Sequence, residues 1–379
     1  MEGLPNKLKS KLEERRIANA LRTLQSPENL IDFSSNDYLG FSRSEALFEA
    51  SHNFLTEHGL KKNGATGSRL LSGNHTLFDI VENLLVHFHN SESALIYNSG
   101  YDANMGFFSC VPQRGDTIFY DAFSHASIRD GISMSNAQAF KFKHNDLNHL
   151  HELIDRTKPE GTVYIVTESV FSMDGDSPDL EKLSLLAAEH RAYLVVDEAH
   201  AVGVFGNRGQ GLLDSLSLKH PVFARIITFG KAMGCHGAAI LGSEVLREYL
   251  INFSRSFIYT TALSPHSLAA IQAAYNALLN SRERDILQSN IAFFRSEIIQ
   301  KKLDAYFIES RSAIHSCIIP GNEKVKRISK QLRDEGFDVK PILSPTVSKG
   351  EERLRFCIHS YNSKEDMSNV LKFLATFVP

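Results

Sequence analysis

Three residue types in two short stretches have the makings of a reaction centre. Asp197 and His200 lie in V-V-D-E-A-H at 195–200, and Lys231 closes I-I-T-F-G-K at 226–231. A carboxylate can hold a proton on a ring nitrogen, an imidazole can orient or shuttle protons, and an amine can condense with an aldehyde. Other reactive or ligand-holding residues follow apolar runs in the same way. Gly100 and Tyr101 follow A-L-I-Y at 94–97, His125 follows T-I-F-Y-D at 117–121, and Glu168 and Ser172 follow V-Y-I-V-T at 163–167.

An apolar, β-branched run that breaks abruptly into polar residues reads as a buried parallel strand entering a loop. Five such runs separated by helical patterns predict βαβ units and a parallel sheet. All five would open on the carboxyl edge, where open α/β sheets bind ligands. A carboxylate, an imidazole and an amine converging there suit a cofactor with a cationic ring nitrogen, a flat aromatic face and an aldehyde. Pyridoxal phosphate has these features, being held as a Schiff base on lysine with an acidic partner on its ring nitrogen. G-A-A-I-L-G at 237–242 reads as one more strand. Ser177 reads as the cap of a helix with Pro178 in its first turn and an apolar stripe of Leu180, Leu183, Leu186 and Ala187.

Before these strands, residues 4–24 read as a highly charged helical arm, with Leu4, Leu8 and Leu12 at helical spacing. A short strand at the start of I-D-F-S-S-N-D-Y-L-G (31–40) follows. The glycine-rich stretch 62–73 fits no phosphate-loop pattern and reads as a flexible loop, and 76–86 reads as an amphipathic helix. Beyond residue 265 one long helix (267–302) is expected. A strand (314–319), a helix (324–335), two strands (339–343 and 354–358) and a helix capped by Ser363 follow it. The organisation expected is an arm at 1–45, a large domain at 46–275 and a small α+β domain at 276–379. In R-L-R-F-C-I at 353–358, alternation places Arg353 and Arg355 on one strand face, either as a carboxylate holder or as a surface pair.

Composition narrows the partners. The 379 residues are 42% hydrophobic and 22% charged with net charge −3, which supplies no basic face for nucleic acid or a membrane surface. No apolar run is long enough to span a bilayer or serve as a signal peptide, and the four scattered cysteines read as free thiols, so the cytoplasm is expected. The histidine-rich H-N-D-L-N-H-L-H-E-L at 144–153 matches no metal motif and reads as the start of a surface helix, so no metal is expected. D-E-A-H is also the Walker B spelling of a class of nucleic-acid ATPases. That reading needs an upstream G-x-x-x-x-G-K-[ST] loop, whereas Gly230-Lys231 lies downstream, has Arg225 at the first glycine position and is followed by Ala232. A non-catalytic binding protein would have no use for Lys231.

With these residues laid out, the sequence resembles the α-oxoamine synthase family of fold-type I pyridoxal-phosphate enzymes over nearly its whole length. The shared stretches are S-S-N-D-Y-L-G at 34–40, S-G-Y at 99–101, S-H-A-S at 124–127, T-E-S-V-F-S-M-D-G at 167–175, D-E-A-H at 197–200, T-F-G-K at 228–231 and P-T-V at 345–347. Tyr101 stands where the family often has phenylalanine, and the segment between Arg22 and Asn36 is short.

The resemblance implies an aminotransferase-like α/β fold: a large domain with a mostly parallel sheet, a smaller C-terminal α+β domain and an N-terminal helical arm. It implies Lys231 as the covalent anchor and proton carrier, Asp197 on the ring nitrogen, and His125 on the ring face. Ser172 and His200 would meet the phenolic side of the ring, with Glu168 also at the cofactor. Gly100, Tyr101 and Thr228 would cradle the phosphate, with Thr260 or Thr261 coming from the partner in a homodimer. Asn36 and Arg355 are expected at the amino-acid carboxylate, and Arg22 and Thr346 at the acyl substrate. Arg22 in N-A-L-R, Y-T-T at 259–261 and S-P-T-V at 344–347 favour the branch that condenses L-alanine with a pimeloyl thioester of coenzyme A or a carrier protein, with loss of carbon dioxide. Branches using glycine with acetyl, or serine with long acyl groups, and the autoinducer synthases, are the alternatives within the family.

Overall fold

The apolar runs become strands in the computed structural model, which describes residues 3–24, 29–216, 218 and 220–378. In chain order the strands are β1 (Ile31–Asp32), β2 (Ser93–Tyr97), β3 (Thr117–Asp121), β4 (Gln138–Phe142), β5 (Val163–Glu168) and β6 (Tyr193–Asp197). They continue with β7 (Ala224–Thr228), β8 (Ala238–Gly242), β9 (Ile314–Ile318), β10 (Phe337–Asp338), β11 (Lys340–Ile342) and β12 (Arg353–Cys357). The chain divides into two compact units, one of Asn36–Ser172 with Ser177–Ile286, the other of residues up to Ser35, Met173–Asp176 and Leu287 onward.

The first unit is built on a seven-stranded sheet ordered β2-β8-β7-β6-β5-β3-β4. Pairs β3–β4, β3–β5, β5–β6 and β6–β7 are parallel, while β8 is antiparallel to both of its neighbours, β2 and β7. Two reversals cancel, so β2 runs with the parallel strands and only β8 opposes them. Both faces of the sheet are covered. Ile118, Tyr164, Val166, Val195 and Ile226 pack on one side, and Phe119, Ile165, Leu194 and Val196 on the other. Burial of successive residues on opposite faces is why these strands are apolar throughout rather than alternating. Each fully buried Val, Ile or Phe contributes roughly 1.5–3 kcal/mol relative to exposure, so the sheet is a rigid platform for its loops.

Several local expectations change. Strand β4 has no counterpart in the sequence reading, because Q-A-F-K-F lies on the sheet edge with only Phe142 buried. The helix leading to β6 starts at Leu180 rather than near Ser177; Asp179 caps it, accepting from the Lys182 N–H at 3.0 Å. The stretch 62–73 is a loop as far as Ser68, after which Arg69–Gly73 forms a π-helical turn. The Arg69 guanidinium contacts both Glu82 carboxylate oxygens (2.5 and 3.3 Å) and lies 3.9 Å from the Phe78 ring centre. At Gly73 an added Cβ would stand 2.2 Å from the Gly67 carbonyl oxygen, so only glycine permits that close approach. The long helix expected over 267–302 is two, Pro265–Asn280 and Glu283–Gln300, parted at Ser281, whose Oγ accepts from the Glu283 N–H.

In the second unit β11-β12-β9 form an antiparallel sheet, and β1 pairs in parallel with β10. The N-terminal helix is shorter than the charge pattern suggests, spanning Asn6–Ile17, and Asn19 just beyond it adopts a left-handed conformation at φ 47°. Arg353 and Arg355 are buried, at 2% and 8% exposure, which removes the surface-pair reading. Arg353 is ion-paired with Asp174, as a buried guanidinium requires. Among the described residues, no helix is long and apolar enough to cross a membrane.

Candidate active site

The carboxyl edge of the seven-stranded sheet collects the strand-end residues. The β5–β6 register sets Glu168 opposite Asp197, and Thr228 ends β7 three residues before Lys231. Asp197 is 6% exposed, and both its oxygens accept hydrogen bonds, Oδ2 from Asn104 Nδ2 (2.8 Å) and Oδ1 from the Ala199 N–H (2.9 Å). Bonds of this kind fix the orientation of a buried carboxylate.

From Asp197 the network runs outward. Asn104 Nδ2 also donates to Ser127 Oγ (3.1 Å), and Ser127 Oγ stands 2.7 Å from His125 Nδ1. The Ser127 N–H donates to the same Nδ1, so Nδ1 is the acceptor and the imidazole proton sits on Nε2. Burial lowers the His125 pKa; Asp197 opposes that shift, while Lys231 and Arg129 reinforce it, and the ring is neutral. The His125 backbone N–H donates to Glu168 Oε1 at 2.6 Å. Burial, and then the Asp197 charge, push Glu168 well above the usual carboxylate range. The two adjacent strand-end carboxyls thus sit in different settings, Asp197 with a hydrogen-bond donor on each oxygen and Glu168 with its pKa raised.

A second network holds the amine. Tyr38 donates its hydroxyl proton to Asn36 Oδ1 (3.1 Å), so at 2.8 Å from His200 Nδ1 it must accept. His200 then carries its proton on Nδ1 and leaves Nε2 as the acceptor for Lys231 Nζ, 3.2 Å away. Lys231, His200, Tyr38 and Asn36 form one hydrogen-bonded line.

The phosphate-cradle candidates converge at the other end. Helix Gly100–Cys110 is capped by Ser99, whose Oγ accepts from the Asp102 N–H (3.0 Å), and its exposed N–H groups face an anion favourably. At Gly100 an added Cβ would lie 3.6 Å from the Thr228 side chain, in the space beside the helix terminus. Tyr101 hydrogen-bonds Asp130 through its hydroxyl, leaving its backbone at the helix start. Asn98 Nδ2 holds Thr260 Oγ1 (2.9 Å) and the Thr261 carbonyl (2.7 Å) of its own chain. Ser172 lies half-buried four residues beyond β5. A carboxylate for a cationic nitrogen, a flat neutral imidazole, an amine, and a capped helix terminus set against Thr228 for a phosphate together fit pyridoxal phosphate.

In the other unit, Arg22 Nη2 donates to Thr346 Oγ1 at 3.3 Å, which brings the two expected acyl-substrate residues together. Arg355 is buried on β12. The histidine-rich stretch becomes a capped helix, Leu147–Thr157, and its imidazoles take protein partners. His144 pairs with Asp121 (2.8 Å), His149 accepts from the Lys143 N–H (3.1 Å) and His151 meets His190 (2.9 Å).

Tyr38, Asn104 and Ser127 were not singled out by sequence reasoning. Asn104 carried a usable signal, a polar amide on the apolar face formed by Ala103, Phe107 and Phe108. Tyr38 and Ser127 lie within the shared stretches at 34–40 and 124–127, but nothing local marks the imidazoles they hold.

Comparison with known proteins agrees with this construction. The aminotransferase class I and II family model matches residues 28–374. A putative 8-amino-7-oxononanoate synthase of Bacillus cereus (strain B4264) is 39% identical over 348 residues, covering 91% of this chain and 86% of that protein. The 8-amino-7-oxononanoate synthase of Emericella nidulans is 38% identical over 371 residues, covering 93% and 90%. Among solved structures, serine palmitoyltransferase from S. paucimobilis, with a pyridoxal-phosphate–myriocin adduct, superposes with TM-score 0.88 at 26% identity, covering 98% of this chain and 96% of that one. The 8-amino-7-oxononanoate synthase of Francisella tularensis superposes with TM-score 0.78 at 31% identity, covering 92% and 98%. With its parallel sheet, its strand-end carboxylate and lysine and these relatives, the chain belongs to the aminotransferase class I and II family and, within it, to the α-oxoamine synthases.

Proposed function

We propose that the protein is an 8-amino-7-oxononanoate synthase, a pyridoxal-phosphate-dependent acyltransferase that joins L-alanine to a pimeloyl thioester of coenzyme A or a carrier protein. The observation that carries the reading is the pair of networks at one sheet edge, Lys231 on His200 and Asp197 on Asn104. The cofactor supplies an electron sink for negative charge at the alanine Cα. Lys231 would anchor it and carry the α-proton, with His200, held by Tyr38, orienting the amine. Asp197 would hold the proton on the ring nitrogen, and His125 would offer the ring a flat face. Gly100, Tyr101 and Thr228 would hold the phosphate, and Ser172 and Glu168 are the further candidates for the ring. For the amino-acid carboxylate, Asn36 is the candidate in the first unit and Arg355 the candidate in the second. The new carbon–carbon bond joins the alanine Cα to the thioester carbonyl, the thiol leaves, and the carboxylate departs as carbon dioxide with a proton taking its place.

Sequence identity favours this branch, whereas the higher TM-score to serine palmitoyltransferase favours a serine and long-acyl reading. The two separate in one assay of glycine, L-alanine and L-serine against acetyl, pimeloyl and palmitoyl thioesters. Alanine with pimeloyl should be the most efficient pair. Its margin over glycine should be modest, because a methyl group is worth only ~1–3 kcal/mol. The margin over acetyl should be larger, since the far polar end of the pimeloyl chain needs a partner, for which Arg22 on Thr346 is suited. Arg22→Ala is expected to raise the acyl KM more than it lowers kcat, as lost uniform binding does. Higher efficiency with serine and palmitoyl would move the protein to the other branch.

The working state is expected to be a homodimer, with Tyr259, 74% exposed, and Thr260 or Thr261 reaching the partner's phosphate site. Sedimentation at assay concentration checks this, and a fully active monomer would end the idea.

A further inference from the structure

A ring of contacts joins three segments that are distant in sequence. Asn322 opens helix Asn322–Asp334, half-buried. Its Oδ1 accepts from the Ser344 N–H (3.0 Å), and its Nδ2 donates to the Ala18 carbonyl (3.0 Å) and, at the long distance of 3.5 Å, to the Ser344 carbonyl. One residue on, Glu323 Oε1 accepts from Asn19 Nδ2 (2.6 Å), and one turn on, Lys326 Nζ donates to Asn19 Oδ1 (2.6 Å). Asn19 is the left-handed residue that ends the N-terminal helix. Three residues beyond it stands Arg22, and two beyond Ser344 stands Thr346. The Arg22–Thr346 bond closes the ring at 3.3 Å.

We infer that Asn322 is the positioning residue of the acyl subsite, setting the Arg22 arm and the Thr346 loop in register, an inference that rests on the acyl role proposed above for those two residues. The position demands an amide. It must accept from one backbone and donate to another through a single planar group, which aspartate cannot do and an apolar side chain cannot do at all. Glu323 and Lys326 grip the arm alone; Asn322 bonds both the arm and the loop. Loss of its amide leaves the Arg22–Thr346 bond to hold arm and loop together without that support, and does not touch the residues around Lys231.

The test uses the holoenzyme and whichever acyl thioester the wild type turns over best. Asn322→Ala removes all three of these hydrogen bonds and is expected to raise the acyl KM about tenfold, with kcat changed by less than about threefold. Exchange of the alanine α-proton with solvent, which needs no acyl substrate, should match wild type within about twofold. Asn322→Asp keeps the acceptor for Ser344 and loses the donor to Ala18, so its KM should fall between the two. Because Asn322 acts through Arg22, the double variant with Arg22→Ala should exceed the worse single variant by no more than about twofold. An unchanged KM in either Asn322 variant, a multiplicative double variant, or an equal loss of α-proton exchange overturns the inference. A wild type that prefers a different thioester overturns the pimeloyl reading instead, and leaves the KM ratio on the preferred thioester to judge Asn322. Should Asn322→Ala fail to fold, the aspartate variant decides alone.

Discussion

Replacing Lys231 by alanine is expected to lower turnover by about 10⁴-fold or more, the loss typical when a covalent anchor and proton carrier go together. The physical reason lies in the line of donors and acceptors behind it. His200 presents an Nε2 lone pair to Lys231 because its Nδ1 proton is committed to Tyr38, which is in turn committed to Asn36. The amine is therefore held at one place, and no other group in this line is an amine. Cofactor affinity should fall far less, since Asp197, the helix terminus at Gly100 and the His125 face remain. Two measurements check the expectation. Borohydride treatment followed by peptide mapping should place the reduced cofactor on Lys231 in the wild type, and the variant should hold cofactor that dialysis removes. An adduct on a different lysine, or a Lys231→Ala variant with even a hundredth of wild-type turnover, would overturn the role given to this residue.

How far the sequence announces this arrangement depends on the range over which each feature is determined. The ends of β5, β6 and β7 are legible because a strand buried on both faces must be apolar at every position, and its exit is then visible as a break to Glu168, Asp197 or the turn before Lys231. β4 is not legible, since a half-exposed edge strand needs neither continuity nor clean alternation. Order in 62–73 comes from Arg69 meeting Glu82, thirteen residues away, and no local pattern encodes that ion pair. The pairing of β1 with β10 joins Ile31 to Phe337, again beyond any window that periodicity can reach. The same division runs through the site. Strand-end residues stand out, while Tyr38 and Ser127 gain their meaning only from the imidazoles they hold. Asn104 lies between the cases: a buried amide on an apolar helix face is visible as a type, but its partner Asp197 is not.

That partnership governs the second large effect, Asp197→Asn. Both oxygens of Asp197 accept, from Asn104 and from the Ala199 N–H, so an amide at 197 must turn one N–H toward a donor. Asn104 can relieve the conflict. Its Oδ1 is buried without a hydrogen-bond partner, and flipping its amide would offer that oxygen to the new donor. The fold should therefore survive with little loss of stability, and the helix terminus and Lys231 should still retain the cofactor. Two consequences remain. The ring nitrogen loses the anion that keeps its proton, and the flip withdraws Asn104 Nδ2 from Ser127, loosening the support of His125. Exchange of the alanine α-proton should fall by about 10²- to 10⁴-fold, the range seen when an electrostatic or proton-transfer partner is removed. The measurement is solvent deuterium exchange into L-alanine by the purified variant, with cofactor content determined on the same sample. Glutamate at 197 should recover part of the loss, because it restores the charge though not the distance. Wild-type exchange in a fully loaded Asp197→Asn variant would show that the carboxylate is not what keeps the ring an electron sink. The network from Asp197 through Asn104 and Ser127 to His125 would then be a packing device alone.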